Sequence, residues 1–109
     1  MTYRGVIIEE SLINQDAISG LKVLARDHDE PSGWHLVTVE VTAAQAEALA
    51  SQLQPGPWYI HFWHDQKVIV VFKDATFRLQ QNDLSTWQPA LEHGRSLGIP
   101  PEQLDFPIS

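Results

Sequence analysis

No cysteine occurs among the 109 residues, which excludes disulfide bonds, thiolate nucleophiles and cysteine-ligated zinc. Basic residues are scarce too: 7 Lys and Arg stand against 14 Asp and Glu, for a formal net charge of −7. A nucleic-acid binder needs a basic face for phosphates, and an anionic membrane surface repels an acidic chain. Neither partner is expected. The longest wholly apolar run, Val68-Ile69-Val70-Val71-Phe72, falls far short of the roughly 20 residues that span a bilayer as a helix. Met1-Thr2-Tyr3-Arg4 runs straight into Gly5-Val6-Ile7-Ile8 with no basic-then-apolar leader, so a soluble cytoplasmic protein is expected. Two catalytic signatures are also missing from the sequence, the Gly-x-Ser-x-Gly nucleophile elbow and the glycine-rich phosphate loop.

What the chain does have is an apolar fraction of 43%, enough for one core and one domain over residues 1–109. Alternation of apolar and polar residues predicts strands over Tyr3 to Glu9, Lys22 to His28 and Trp34 to Val41. Three more follow over Trp58 to His64, Lys67 to Lys73 and Thr76 to Gln80. The short turn Asp29-Glu30-Pro31-Ser32-Gly33 makes the second and third strands a hairpin. Asn14 is placed to cap a short helix carrying Ile18 and Leu21, which Gly20 ends. Thr42 and Gln45 form a capping box ahead of the stripe Ala46, Leu49, Ala50 and Leu53. A last helix is expected from about Thr86 to Leu97, with Ser85 and Gln88 as a second capping box and Trp87, Ala90, Leu91 and Leu97 facing inward. Glu92 and His93 are assigned to solvent, and Gly98 to the helix C-cap. Lys67, Lys73 and Arg78 are read as charges that blunt exposed strand edges.

The resulting order matches a ferredoxin-like βαββαβ antiparallel sheet with a C-terminal β-β-α extension, an α+β fold. The helices of the βαββαβ part would cover one sheet face and leave the other open.

The densest chemistry lies in Trp58-Tyr59-Ile60-His61-Phe62-Trp63-His64-Asp65. In a strand Trp58, Ile60 and Phe62 point one way, toward a helix-covered core, and Tyr59, His61 and Trp63 the other. His61 and His64, three apart, then face opposite sides, so a shared metal is not expected there; no metal and no cofactor is assigned to the chain. His35 shares a face with Val37, Val39 and Val41, and it meets His61 only if the two lie on one side of the sheet. The run Asp27-His28-Asp29-Glu30 reads as a solvated acidic turn rather than a cation site, and Glu9 and Glu10 as carboxylates expected by chance in so acidic a chain. Trp34, His35, Tyr59, His61 and Trp63 are the ligand-binding or interface candidates.

The opening Tyr3-Arg4-Gly5-Val6-Ile7-Ile8-Glu9-Glu10-Ser11-Leu12 and the closing Gly94-Arg95-Ser96-Leu97-Gly98-Ile99-Pro100-Pro101-Glu102-Gln103-Leu104-Asp105-Phe106 resemble a small prokaryotic protein family with no assigned activity. Trp34-His35-Leu36 and Trp58-Tyr59 are similar as well. The resemblance implies a bacterial or archaeal cytoplasmic origin and carries over no functional residue.

These features lead to a non-catalytic module that binds a small molecule or protein, or its own copy as a homodimer, through an aromatic sheet face. The alternative is a small dimeric enzyme with His61 or His35 as acid or base in an aromatic pocket. In the extended tail 100–109, Leu104, Phe106 and Ile108 alternate with polar residues or Pro, so the tail is expected to dock on the domain. Deleting residues 100–109 is expected to lower the melting temperature; an unchanged melting curve and oligomer mass would remove that docking.

Overall fold

The computed structural model describes residues 1–104. Six strands form one antiparallel sheet: β1 (Tyr3–Ile8), β2 (Lys22–Asp29), β3 (Trp34–Val41), β4 (Tyr59–His64), β5 (Lys67–Phe72) and β6 (Ala75–Gln80). Their spatial order is β2-β3-β1-β4-β5-β6. Two α-helices, α1 (Ala43–Ala48) and α2 (Gln88–Ser96), lie among short 3-10 turns. This is an α+β architecture. The order departs from a simple ferredoxin sheet because β5 and β6 widen it. The connection from β1 to β2 also holds only 3-10 turns, Glu9–Ser11 and Gln15–Ile18, where a helix was expected. Asn14 does cap the second of them, its side chain accepting from Asp16 N at 2.9 Å, but a helix this short with Gly20 close behind does not propagate.

The Thr42–Gln45 capping box forms as expected, with both reciprocal hydrogen bonds present. The stripe behind it is buried throughout, although the helix tightens to 3-10 geometry over Leu49–Gln52. The second capping box does not form. Asp83 takes that role, accepting from Ser85 N at 3.1 Å and starting a 3-10 turn over Leu84–Trp87 that leads into α2. Gly98 closes α2 at φ +85°, the left-handed geometry that glycine adopts without a Cβ clash.

Both sheet faces are packed, each by different elements. On the first face Tyr3, Ile7, Val37, Val39, Val41, Ile60, Phe62, Ile69 and Val71 meet Ile18, Ala46, Leu49 and Leu53. On the second, Val68, Val70, Phe72 and Leu79 meet Trp87, Ala90, Ile99 and Leu104, with Tyr59 and Trp63 packed alongside. Strand β5 feeds both cores, so all of Val68 to Phe72 is buried. That explains why this run is continuously apolar instead of alternating.

His93 belongs to this second core rather than to solvent. Its ring lies 4.9 Å from Phe72 and 5.4 Å from Phe77, and its Nε2 is buried without a hydrogen-bond partner. The edge assignments also change. The sheet ends at β2 and β6, so Arg78 sits on an edge strand, where Glu47 of α1 holds it, while β5 and its Lys67 are internal. Lys73 lies just past β5 and donates to Ser51 O at 3.1 Å. Within the tail, Leu104 is buried against Gly94, where an added Cβ would come within 2.6 Å of the Leu104 side chain. Phe106 and Ile108 lie outside the described residues.

The two halves of the sheet join where β1 meets β4, through the pairs Arg4–Trp63 and Gly5–Phe62. The Phe62 ring, with 0% exposure, occupies the space a side chain at position 5 would need, and a Cβ there would also approach His61 O to 2.8 Å. Gly5→Ala is therefore expected to destabilise the fold by about 1–3 kcal/mol, the usual cost of overpacking. A urea midpoint equal to that of the parent chain would contradict the packing described.

Candidate functional site

Alternation along β4 holds: Ile60 and Phe62 enter the first core, and Tyr59, His61 and Trp63 form a row on the second face. The His61 ring lies 6.4 Å from Tyr59 and 5.5 Å from Trp63. His64 turns away, 6.0 Å from Tyr3 of the first core. Trp58 precedes the strand and is only partly buried, its ring 5.4 Å from Trp34. The row itself is partly covered by the chain: the Tyr59 hydroxyl donates to Gln103 O.

The helix α2 and residues 99–104 cover β4, β5 and β6 but stop there. Over β1, β3 and β2 the second face is bare. Residues paired across strands share a face, and the pairs are Val6–Thr38, Ala25–Thr38, Ile8–Leu36 and Asp27–Leu36. Val6 is 40% exposed, Leu24 40% and Trp34 39%, values high enough to mark an uncovered apolar surface. At one end of this half-face Arg4, Glu40 and Lys22 are neighbours, with Lys22 Nζ 3.1 Å from Glu40. At the other end Asp27 and Asp29 lie opposite Leu36 and Trp34.

His35 is not part of this surface. It shares the first face with Val37, at the end where β1 runs into the 3-10 turn Glu9–Ser11. Ser11 Oγ donates to Ile8 O at 2.6 Å, and Ser11 O accepts from Gln54 N at 2.7 Å, which fixes the turn. The turn presents two carboxylates to the hairpin. Glu10 Oε1 accepts the backbone N–H of His35 at 2.8 Å, and Glu10 Oε2 lies 2.7 Å from His35 Nδ1. Glu9 Oε1 accepts from Arg26 at 2.6 Å. His28, directly opposite His35 on β2, stacks on it with rings 4.7 Å and 15° apart. A shallow depression of about 300 Å³ lies here, lined by Glu9, Arg26, Asp27, His28, His35 and Leu36 among others.

Of the five candidates, then, Tyr59, His61 and Trp63 form one row, Trp34 stands at the far end of the uncovered half-face, and His35 lies on the opposite side. The Glu10–His35 pair is 25 residues apart and carries no local signal; reading Glu9 and Glu10 as chance carboxylates missed it. A larger depression of about 580 Å³, bounded by Tyr3, Ala43, Lys67, Ile69 and Arg78, was also unforeseen. Its strongest polar group is already committed, because Glu47 holds Arg78 and keeps the guanidinium above its usual pKa.

The Glu10 pair titrates with a definite sign. The His35 backbone N–H and then its ring hold the Glu10 carboxyl below 4.5, and the Glu10 hydrogen bond lifts His35 above 6.5. Stabilisation from His35 is full below its unfolded pKa and fades as pH rises through the folded one. Stabilisation from Glu10 is present above its unfolded pKa and fades as pH falls through the folded one. The melting temperatures of the parent chain and His35→Gln should therefore differ most at about pH 5–6 and converge in alkali. A pH-independent difference would contradict the pairing.

No family model matches the chain, nor does any curated protein or solved structure.

Proposed function

We propose that this protein is a non-catalytic interaction module that pairs with a second copy of itself through the uncovered half of the second sheet face. The observation that carries this reading is the abrupt end of cover between β4 and β1, which leaves Val6, Leu36 and Trp34 beside the Tyr59-His61-Trp63 row. Small side chains at the centre, Val6, Thr38 and Ala25, suit close approach of another sheet, which packs at about 10 Å. Charge supports the choice of partner. A twofold axis running across the strands brings the Arg4–Lys22 end of one copy over the Asp27–Asp29 end of the other. With Lys22 paired to Glu40, the surplus positive charge of that end is Arg4, which this axis sets toward the two aspartates. We also read β2-β3-β1-β4 as the split βαβ arrangement of a ferredoxin-like sheet, supported by β3 lying between β1 and β2 and by β1 lying between β3 and β4.

One observation favours the enzymatic alternative at His35 rather than at His61: Glu10 orients the His35 ring as a carboxylate orients a general base. The His35 side chain is 55% exposed in a shallow depression, however, where water competes with any proton transfer.

Light scattering at micromolar concentration is expected to give twice the chain mass for the parent protein and a single-chain mass for Val6→Glu. Asp27→Lys should weaken the dimer without altering the circular dichroism spectrum. A parent chain that stays monomeric, or a Val6→Glu variant that stays dimeric, removes the proposal. Among the described residues no helix is long and apolar enough to cross a membrane.

A further inference from the structure

His28 and His35 occupy opposed positions on neighbouring strands, on the sheet face away from the proposed dimer surface. Opposed residues have Cβ atoms about 4.5–5.5 Å apart. One ion holding two imidazole nitrogens at about 2.0–2.1 Å can span such a pair. His35 already directs Nδ1 to Glu10 at 2.7 Å, and His28 Nδ1 lies 3.5 Å from the exposed Glu30, within ion-pair but not hydrogen-bond reach. On His35, Nε2 is therefore the nitrogen left for a ligand, and His28 has either nitrogen to offer. Histidines that bind metals are held in this way, since a carboxylate on the second nitrogen fixes the tautomer and raises the basicity of the first.

The surroundings favour a cation. Glu10 and Glu30 lie beside the two rings, and Glu9 in the same turn as Glu10 is paired with Arg26. Both imidazoles are about half exposed, at 47% and 55%, so the His28 ring can turn out of the stack toward Nε2 of a His35 held by Glu10, and water can reach the ion. Among the described residues no group of three or more His, Asp or Glu stands ready to hold a metal. The protein ligands are thus limited to the two imidazoles. Nitrogen donors select zinc, nickel or copper over magnesium or calcium.

We propose that His28 and His35 form a two-imidazole site for a divalent transition-metal ion, with Glu10 as the residue that positions His35 and with water completing the coordination.

Titration of the full chain with Zn²⁺, followed by histidine side-chain nitrogen NMR, tests this directly. The resonances of His28 and His35 should move together and saturate at one ion per chain, while those of His61, His64 and His93 stay in place. Glu10→Gln should weaken binding by about 10-fold, and His28→Gln and His35→Gln each by more. All three substitutions fall on exposed or half-exposed side chains, and a melting curve without zinc confirms that each variant folds. Saturation at any other histidine overturns the proposal. So does equal affinity in the two histidine variants and the parent chain, or loss of binding in only one of them. The readout is independent of oligomeric mass, so failure of the dimer leaves this test standing.

Discussion

The Phe62 ring lying over Gly5 is the contact on which the rest of the sheet depends. Strand β1 is the middle of the molecule in every sense: β3 pairs with it along its whole length, but β4 pairs with it at only two positions. The short seam holds because β4 can approach a residue with no side chain, which lets a large ring fill the first core at the join. With that approach intact, β2 and β3 hang from one side of β1, and β5 and β6 from the other.

From this seam follows the unequal treatment of the two faces. The first face is continuous across the join, because Ile7, Val37, Phe62 and Ile69 present one surface to α1 and the turns around it. The second face is interrupted. The connection after β6 is short, and α2 lies back over β4 to β6, where Ala90 and Gly94 let it and Leu104 sit close. On this face neither α2 nor residues 99–104 reach across to β1 and β3. The bare half-face is therefore a product of chain length and of where the last helix starts, and its chemistry is that of an unfinished core.

Much of this was legible in the sequence. Apolar runs bounded by turn residues located all six strands to within a residue or two, and the capping box of Thr42 and Gln45 marked the start of α1. The failures have physical causes. The helix expected after Asn14 is too short to repay its nucleation, so only a 3-10 turn remains. His93 was sent to solvent for being polar, although it falls on the Ala90–Leu97 stripe, three residues from one and four from the other; periodicity alone would have turned it inward. Tyr59, His61 and Trp63 share a face, as alternation requires, but no local pattern says whether a helix, a tail or a second molecule covers them. Glu10 and His35 meet because a turn folds back over a hairpin, and such long-range geometry leaves no trace in spacing.

Strand β5 gives the molecule an uneven resistance to opening. Its side chains alternate between two cores packed by separate elements, so detaching α2 exposes Val68, Val70 and Phe72 while Ile69 and Val71 remain held. Loosening α1 does the reverse. The amides of β5, bonded to β4 and β6 and covered on both faces, are the best protected, whereas the alternate amides of β2 that point off the sheet edge exchange more readily. A single valine-rich strand is thus the slowest clock in the domain, and the outer edge of β2, the strand that carries His28, is among the fastest.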